Sequence, residues 1–218
     1  MRGIRAFASV STGIVLFCGI SLAQTASLAL NKTGSSTMGG VSVGPFTATI
    51  NGVSTLVISD NFIDLARPGS SWTANVGSSS NLGHATFDLT GGLKGYEEAA
   101  YLGSELLSAY NAHNTTAMGE IQYAIWAVFD PLALVALEFS NNSYYSAAES
   151  YLSGAANKSY TNFSVYTPTG LSGTEVLTLG PQVPTAEPSA LLMLGFDVFF
   201  ACAILLALRR YTKRHQAV

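Results

Sequence analysis

The chain has 218 residues, 48% of them hydrophobic and only 11% charged, with a formal net charge of −3. A soluble domain carries about 25% charged residues, so one ordinary soluble domain does not describe the whole chain. Between Gln24 and Ser189, twelve acidic residues face only Lys32, Arg67, Lys94 and Lys158; this excludes nucleic acid as a partner, because that affinity rests on Lys and Arg neutralising phosphates.

Residues 1–23 read as a secretory signal peptide. Arg2 and Arg5 form the positive start and residues 6–22 the apolar core. Ser21-Leu22-Ala23 is a small-x-small site that predicts cleavage between Ala23 and Gln24. Cys18 follows the bulky Phe17, which does not suit a lipoprotein signal. The other cysteine, Cys202, lies in a second apolar run near the C-terminus. The exported part therefore has no disulfide and no thiolate metal site, and its core alone must hold it together. Roughly 160 residues suffice to bury about two-thirds of the unfolded surface.

Residues 24–40 are small and polar and are expected to be a flexible leader. Residues 41–50 then read as a strand, and Asn51-Gly52 as a hairpin turn, since both residues accept positive φ. Residues 53–58 form the return strand. Arg67-Pro68-Gly69 marks another turn ahead of Trp72. The middle changes period. Ala99, Ala100, Leu102, Leu106 and Leu107 recur at helical spacing over residues 96–110, with Glu97, Glu98 and Glu105 for the wet face and Gly103 as a weak spot. A second helix is predicted over 118–129, capped by Thr115 or Thr116 and ended by Asp130-Pro131. A third is predicted over 143–155, capped by Asn142 and ended near Gly154. Strands return at 163–165 and 175–179. The expected class is α+β: an antiparallel sandwich or barrel over residues 41–181 with a helical insert.

Residues 182–218 form a separate tail. The 19 mostly apolar residues 190–208 are just long enough to span a bilayer as a helix. Arg209, Arg210, Lys213 and Arg214 follow at once, and the positive-inside rule keeps this end in the cytoplasm and the preceding domain outside. Asp197 within the run costs roughly 2.5–3.5 kcal/mol at the centre of a span. It reads either as a contact with a membrane enzyme or as a tolerated residue in a tail that is removed. Ahead of the run stands Val183-Pro184-Thr185-Ala186-Glu187-Pro188-Ser189, which its prolines keep extended and accessible. A short Pro-bearing motif, an apolar helix and a terminal Arg cluster, in that order, resemble the PEP-CTERM sorting signal of Gram-negative bacteria. The resemblance covers residues 183–218 and implies recognition and removal of the tail by exosortase, a membrane-embedded cysteine protease. Val183, Pro184, Glu187, Pro188 and Ser189 fit the motif, whereas Ala186 stands where the family has the first proline of Pro-Glu-Pro.

Two segments of the exported part carry a second resemblance. One is Ile58-Ser59-Asp60-Asn61-Phe62; the other is Gln122-Tyr123-Ala124-Ile125-Trp126. Together they are similar to thioester domains of bacterial surface adhesins, in which a strand cysteine is bonded to the side-chain carbonyl of the Gln in Gln-x-Ala-Ile-Trp. Gln122 and Trp126 match that family, over about residues 41–131, but Ser59 occupies the cysteine position. A serine hydroxyl is far less acidic than a thiol and needs an activating base, so covalent capture is not carried over. Two alternatives follow: Ser59 and Gln122 are a hydrogen-bonded buried pair, or they form an ester with Asp60 or a neighbour as proton acceptor. Read without the resemblance, residues 121–128 are an amphipathic helix with Ile121, Ala124, Ile125 and Val128 on its core face.

Other motifs are weaker. His84 and His113 lie far apart in sequence with no metal-ligand spacing, and read as exposed loop residues. There is no Gly-x-Ser-x-Gly elbow. Residues 90–95 are Gly-rich but lack the Gly-Lys-Ser/Thr ending of a phosphate loop. Tyr144, Tyr145, Tyr151, Tyr160 and Tyr166 make the second half aromatic-rich, which suits either a core or a sugar-binding face. The expectation is an exported structural or adhesive protein of the cell envelope or extracellular matrix, neither an enzyme nor a cofactor or metal binder. Its expected partners are signal peptidase, exosortase and a cell-surface polysaccharide or another surface.

Overall fold

The computed structural model describes residues 24–180 apart from 33, 35, 63–66, 84, 88–91 and 171–172. The signal peptide, the sorting motif, the apolar run at 190–208 and the cluster Arg209, Arg210, Lys213 and Arg214 lie outside the described residues. So do His84, Ala23 and Asp197. Among the described residues no helix is long and apolar enough to cross a membrane.

The chain starts with β1 (Thr25–Lys32), in which Ala26, Leu28 and Leu30 point into the core while the residues between them are exposed or half-buried. Period-two alternation of this kind is the signature of a strand with one wet face. Strands β2 (Ser36–Met38) and β3 (Val41–Val43) pair as a small separate hairpin, joined through Gly39 and Gly40, both at positive φ. The segment expected as a flexible leader is thus a barrel strand and half of a hairpin. Its buried Ala26, Leu28 and Leu30 alternate with Ser27 and Ala29 amid small and polar neighbours, so composition hides the alternation.

After β3 the chain breaks at Gly44-Pro45 and resumes as β4 (Phe46–Ile50). The expected single strand over 41–50 is therefore two. Gly44 sits at φ 97, and Pro45 has no N–H to continue a ladder. Asn51 (φ 49) and Gly52 (φ 84) make the expected turn into β5 (Val53–Ser59), with Ile50 opposite Val53. Asn51 also fastens the turn to β1: its side-chain oxygen accepts from Ser27 N at 2.9 Å. Next comes β6 (Ser71–Ser78).

Four helices then intervene: α1 (Gly92–Asn111), α2 (Thr115–Phe129), α3 (Leu132–Ser140) and α4 (Asn142–Ala155). Three match the sequence reading, with α2 capped by Asn114 rather than by Thr115 or Thr116, and α4 by Asn141 rather than by Asn142. The short α3 is an addition to it. It starts straight after Asp130-Pro131, where proline suits a helix start and the Asp130 side chain accepts from Leu132 N. The chain closes with β7 (Phe163–Pro168) and β8 (Val176–Leu179).

Six strands form a closed antiparallel barrel in the order β1-β4-β5-β8-β7-β6, β6 pairing back to β1. Closure leaves the barrel no free edge. The fold is the expected α+β with a helical insert, and of the two architectures left open it is the barrel. One core fills the barrel, around Leu28, Ile50, Trp72 and Tyr166. A second joins it to the helices, with Ile58, Val165 and Leu177 of the strands against Leu102, Leu106 and Ile121. A third seats the β2–β3 hairpin on α2 and α3 through Met38, Val43, Tyr123 and Trp126. Gly103 explains itself here. A Cβ there would lie 2.8 Å from Ile58 Cδ1, so the glycine lets α1 lie close on the barrel. Helix α2 is the central one. Ile121, Ala124 and Ile125 are buried as expected, but so are Gln122, Tyr123, Trp126 and Ala127, and Val128 is only half-buried.

Candidate functional site

The two motif segments meet where the end of β5 runs under α2. Ser59 is the last residue of β5 and is buried, as are Gln122 and Trp126 on α2. Phe62 packs on both motif aromatics, its ring centroid 5.2 Å from that of Trp126 and 5.9 Å from that of Tyr123. Tyr123 in turn meets Trp126 edge-on at 5.1 Å, a favoured geometry for aromatic pairs, and its hydroxyl donates to the Met38 carbonyl.

Ser59 and Gln122 are brought together through the main chain of Ser59. The Gln122 side-chain amide Nε2 donates to the Ser59 carbonyl oxygen at 2.8 Å. The Ser59 hydroxyl turns away and donates to the Asn61 carbonyl at 3.1 Å. Gln122 Oε1 and Trp126 Nε1 are buried without a hydrogen-bond partner among the described residues. The expected direct hydrogen bond between the two side chains is thus replaced by a side-chain to main-chain bond. The Ser59 oxygen faces a carbonyl, which cannot take its proton.

Beside this pair lies a cluster that sequence reading does not single out. Glu175, just ahead of β8, is buried and accepts three hydrogen bonds: from Thr86 N at 2.8 Å, from the Tyr96 hydroxyl at 2.5 Å, and from the Thr167 hydroxyl. The Tyr96 oxygen accepts from Phe87 N at 3.0 Å. One carboxylate thereby ties β7, β8, α1 and the loop before α1 together. Asp60 is fully buried as well, and neither of its oxygens finds a partner among the described residues. Burial, and then the charge of Glu175, hold its carboxyl well above the usual aspartate range. Burial and the nearby charges of Asp60 and Glu175 likewise push the Tyr96 hydroxyl up, so it stays a donor.

No known family profile matches the chain, and no curated protein matches it. Among solved structures, the chain is similar to the N-terminal thioester domain of fibronectin-binding protein SfbI from Streptococcus pyogenes. The two are 13% identical, with a TM-score of 0.45 over 74% of this chain and 95% of that one.

Sequence reasoning names Ser59, Asp60, Gln122 and Trp126, and all four fall in one buried region. It misses Tyr96 and Glu175. The available signal is an acidic residue at the head of an otherwise apolar strand, Glu175-Val176-Leu177, yet nothing in one sequence says which element it faces. His113 is an exposed turn residue after α1, as expected. Among the described residues, no three His, Cys, Asp or Glu side chains are grouped to hold a metal ion.

Proposed function

We propose that this chain is an exported protein of the cell envelope or extracellular matrix. Its domain, residues 25–180, acts as a structural or adhesive module and performs no catalysis. Signal peptidase removes residues 1–23 and an exosortase acts at residues 183–189. The terminal sequence patterns support the route. The module reading rests on one observation: Gln122 spends its amide on the Ser59 main chain, while the Ser59 hydroxyl is bound to the Asn61 carbonyl. At the position where the resembling family keeps a reactive bond, this chain has a satisfied main-chain contact beneath a packed aromatic cluster.

A second reading keeps an intramolecular ester between Ser59 Oγ and the Gln122 side-chain carbonyl, with release of ammonia. It is favoured by the nearness of the two residues and by the unpartnered Gln122 Oε1. Mass spectrometry of the native protein tests both readings. The first expects an N-terminus at Gln24, a cut within residues 183–189, and an internal mass equal to the sequence. A deficit of one ammonia that Ser59→Ala restores selects the ester. Recovery of the whole chain from the cytosol overturns the export reading altogether.

A further inference from the structure

A cleft of about 440 Å³ opens between α1, α2 and α4, away from the Ser59–Gln122 region. Tyr101 and Glu105 line it from α1, Glu120 from α2, and Ser150, Tyr151 and Gly154 from α4. Residues three and four apart share a helix face, so Tyr101 with Glu105, and Ser150 with Tyr151 and Gly154, form two continuous walls. The volume lies within the range of about 300–1,000 Å³ typical of small-molecule sites.

The charge in this cleft is unbalanced. Among the described residues the one ion pair is Lys94–Glu98, and no basic residue lines the cleft. Glu120 is half-buried, and burial holds its carboxyl above the usual range. The Tyr151 hydroxyl is pushed up by burial, then by the charges of Glu120 and Glu105. Both carboxylates, with Glu105 the more exposed, line the same cleft as the Tyr151 phenol. Gly154 is exposed in the last turn of α4, and nothing lies within 4 Å of where its Cβ would stand. Its absent side chain leaves the cleft open.

We propose that this cleft binds a small organic amine in its protonated form. The ammonium group would sit between Glu105 and Glu120, supplying the missing positive charge, with the tyrosine faces attracting the cation and the hydroxyls of Ser150 and Tyr151 available to polar substituents. A bare divalent ion is a poorer fit: calcium takes six to eight oxygen ligands, and only two carboxylates line this space.

The test titrates the full chain, purified in detergent micelles, with glucosamine, with an aliphatic diamine such as cadaverine, and with neutral N-acetylglucosamine. Binding is read by calorimetry or by NMR shifts, independently of how the chain is exported. Saturable binding of at least one amine, weakened by salt and absent for the neutral sugar, is expected; the tighter amine tells whether the frame is a ring or a chain. Glu105→Gln combined with Glu120→Gln should lower the affinity about tenfold or more. Gly154→Leu, which fills the cleft without touching a charge, should abolish binding while circular dichroism shows the helices intact. Equal binding of the neutral sugar, no saturable binding of either amine, or unchanged affinity in well-folded variants overturns the proposal.

Discussion

Replacing Asp60 by asparagine should stabilise the protein at neutral pH and remove part of its pH dependence. Asp60 is fully buried without a hydrogen-bond partner for either oxygen among the described residues, and it faces Glu175. Burial and a like charge both disfavour its anion, so its folded-state pKa lies above the unfolded value of about 3.9. The sign follows from proton counting. Below the unfolded value both states hold the proton and nothing is lost. Above it the unfolded chain releases the proton while the folded protein keeps it. Stability then falls by about 1.4 kcal/mol for each pH unit until the folded pKa is passed. A domain of this size has a total stability of roughly 5–15 kcal/mol, so even one unit is measurable. The substituted amide would keep the shape, yet it does not titrate. Urea unfolding of both proteins, followed by circular dichroism from about pH 4 to about pH 7, should show the Asp60→Asn variant gaining on the wild type as pH rises. A difference that stays flat across this range would refute the argument, because Asp60 would then ionise as an ordinary surface aspartate does.

Three further outcomes are expected. Gly77→Ala places a Cβ 2.3 Å from the Leu82 carbonyl oxygen; the clash is with main chain that cannot swing aside, so denaturant melts should show a loss of about 3 kcal/mol or more. Asn114→Ala removes the side-chain acceptor for Ala117 N at the start of α2 and should cost about 1 kcal/mol in the same assay. Gln122→Met gives up the bond to the Ser59 carbonyl but also removes the unpartnered Oε1. Those effects oppose each other at about 1 kcal/mol apiece, so the net change in unfolding free energy should be small. A loss of several kcal/mol would instead indicate a covalent tie at this residue.

Much of the architecture is legible where local chemistry decides it. Asn51-Gly52 announces its hairpin because few other residues accept two successive positive φ angles. Helices α1, α2 and α4 show through their apolar spacing, and the last two also through their stops at Asp130-Pro131 and near Gly154. Where elements are short, or their core residues small, the signal fails. Helix α3 has nine residues and exposes Leu132, Val135 and Phe139, the last at 87%, so no clean apolar face can be read. Strand β1 buries Ala26, Leu28 and Leu30 among small and polar neighbours and looks like a leader until its partners β4 and β6 are in view.

The site divides the same way. The sequence marked Ser59, Asp60, Gln122 and Trp126 through a motif resemblance, which needs only side-chain type and order; spacing alone shows residues 121–128 as an amphipathic helix and singles out none of the four. What each group faces had to wait for the folded chain. Folding turned the Gln122 amide to the Ser59 main chain. It brought Glu175 from a distant part of the sequence against Asp60 and Tyr96, and raised three helices around the cleft of Glu105 and Glu120. The energy of a buried charge depends on the distance and exposure of its neighbours, and those quantities exist only once the barrel has closed and the helices have packed on it.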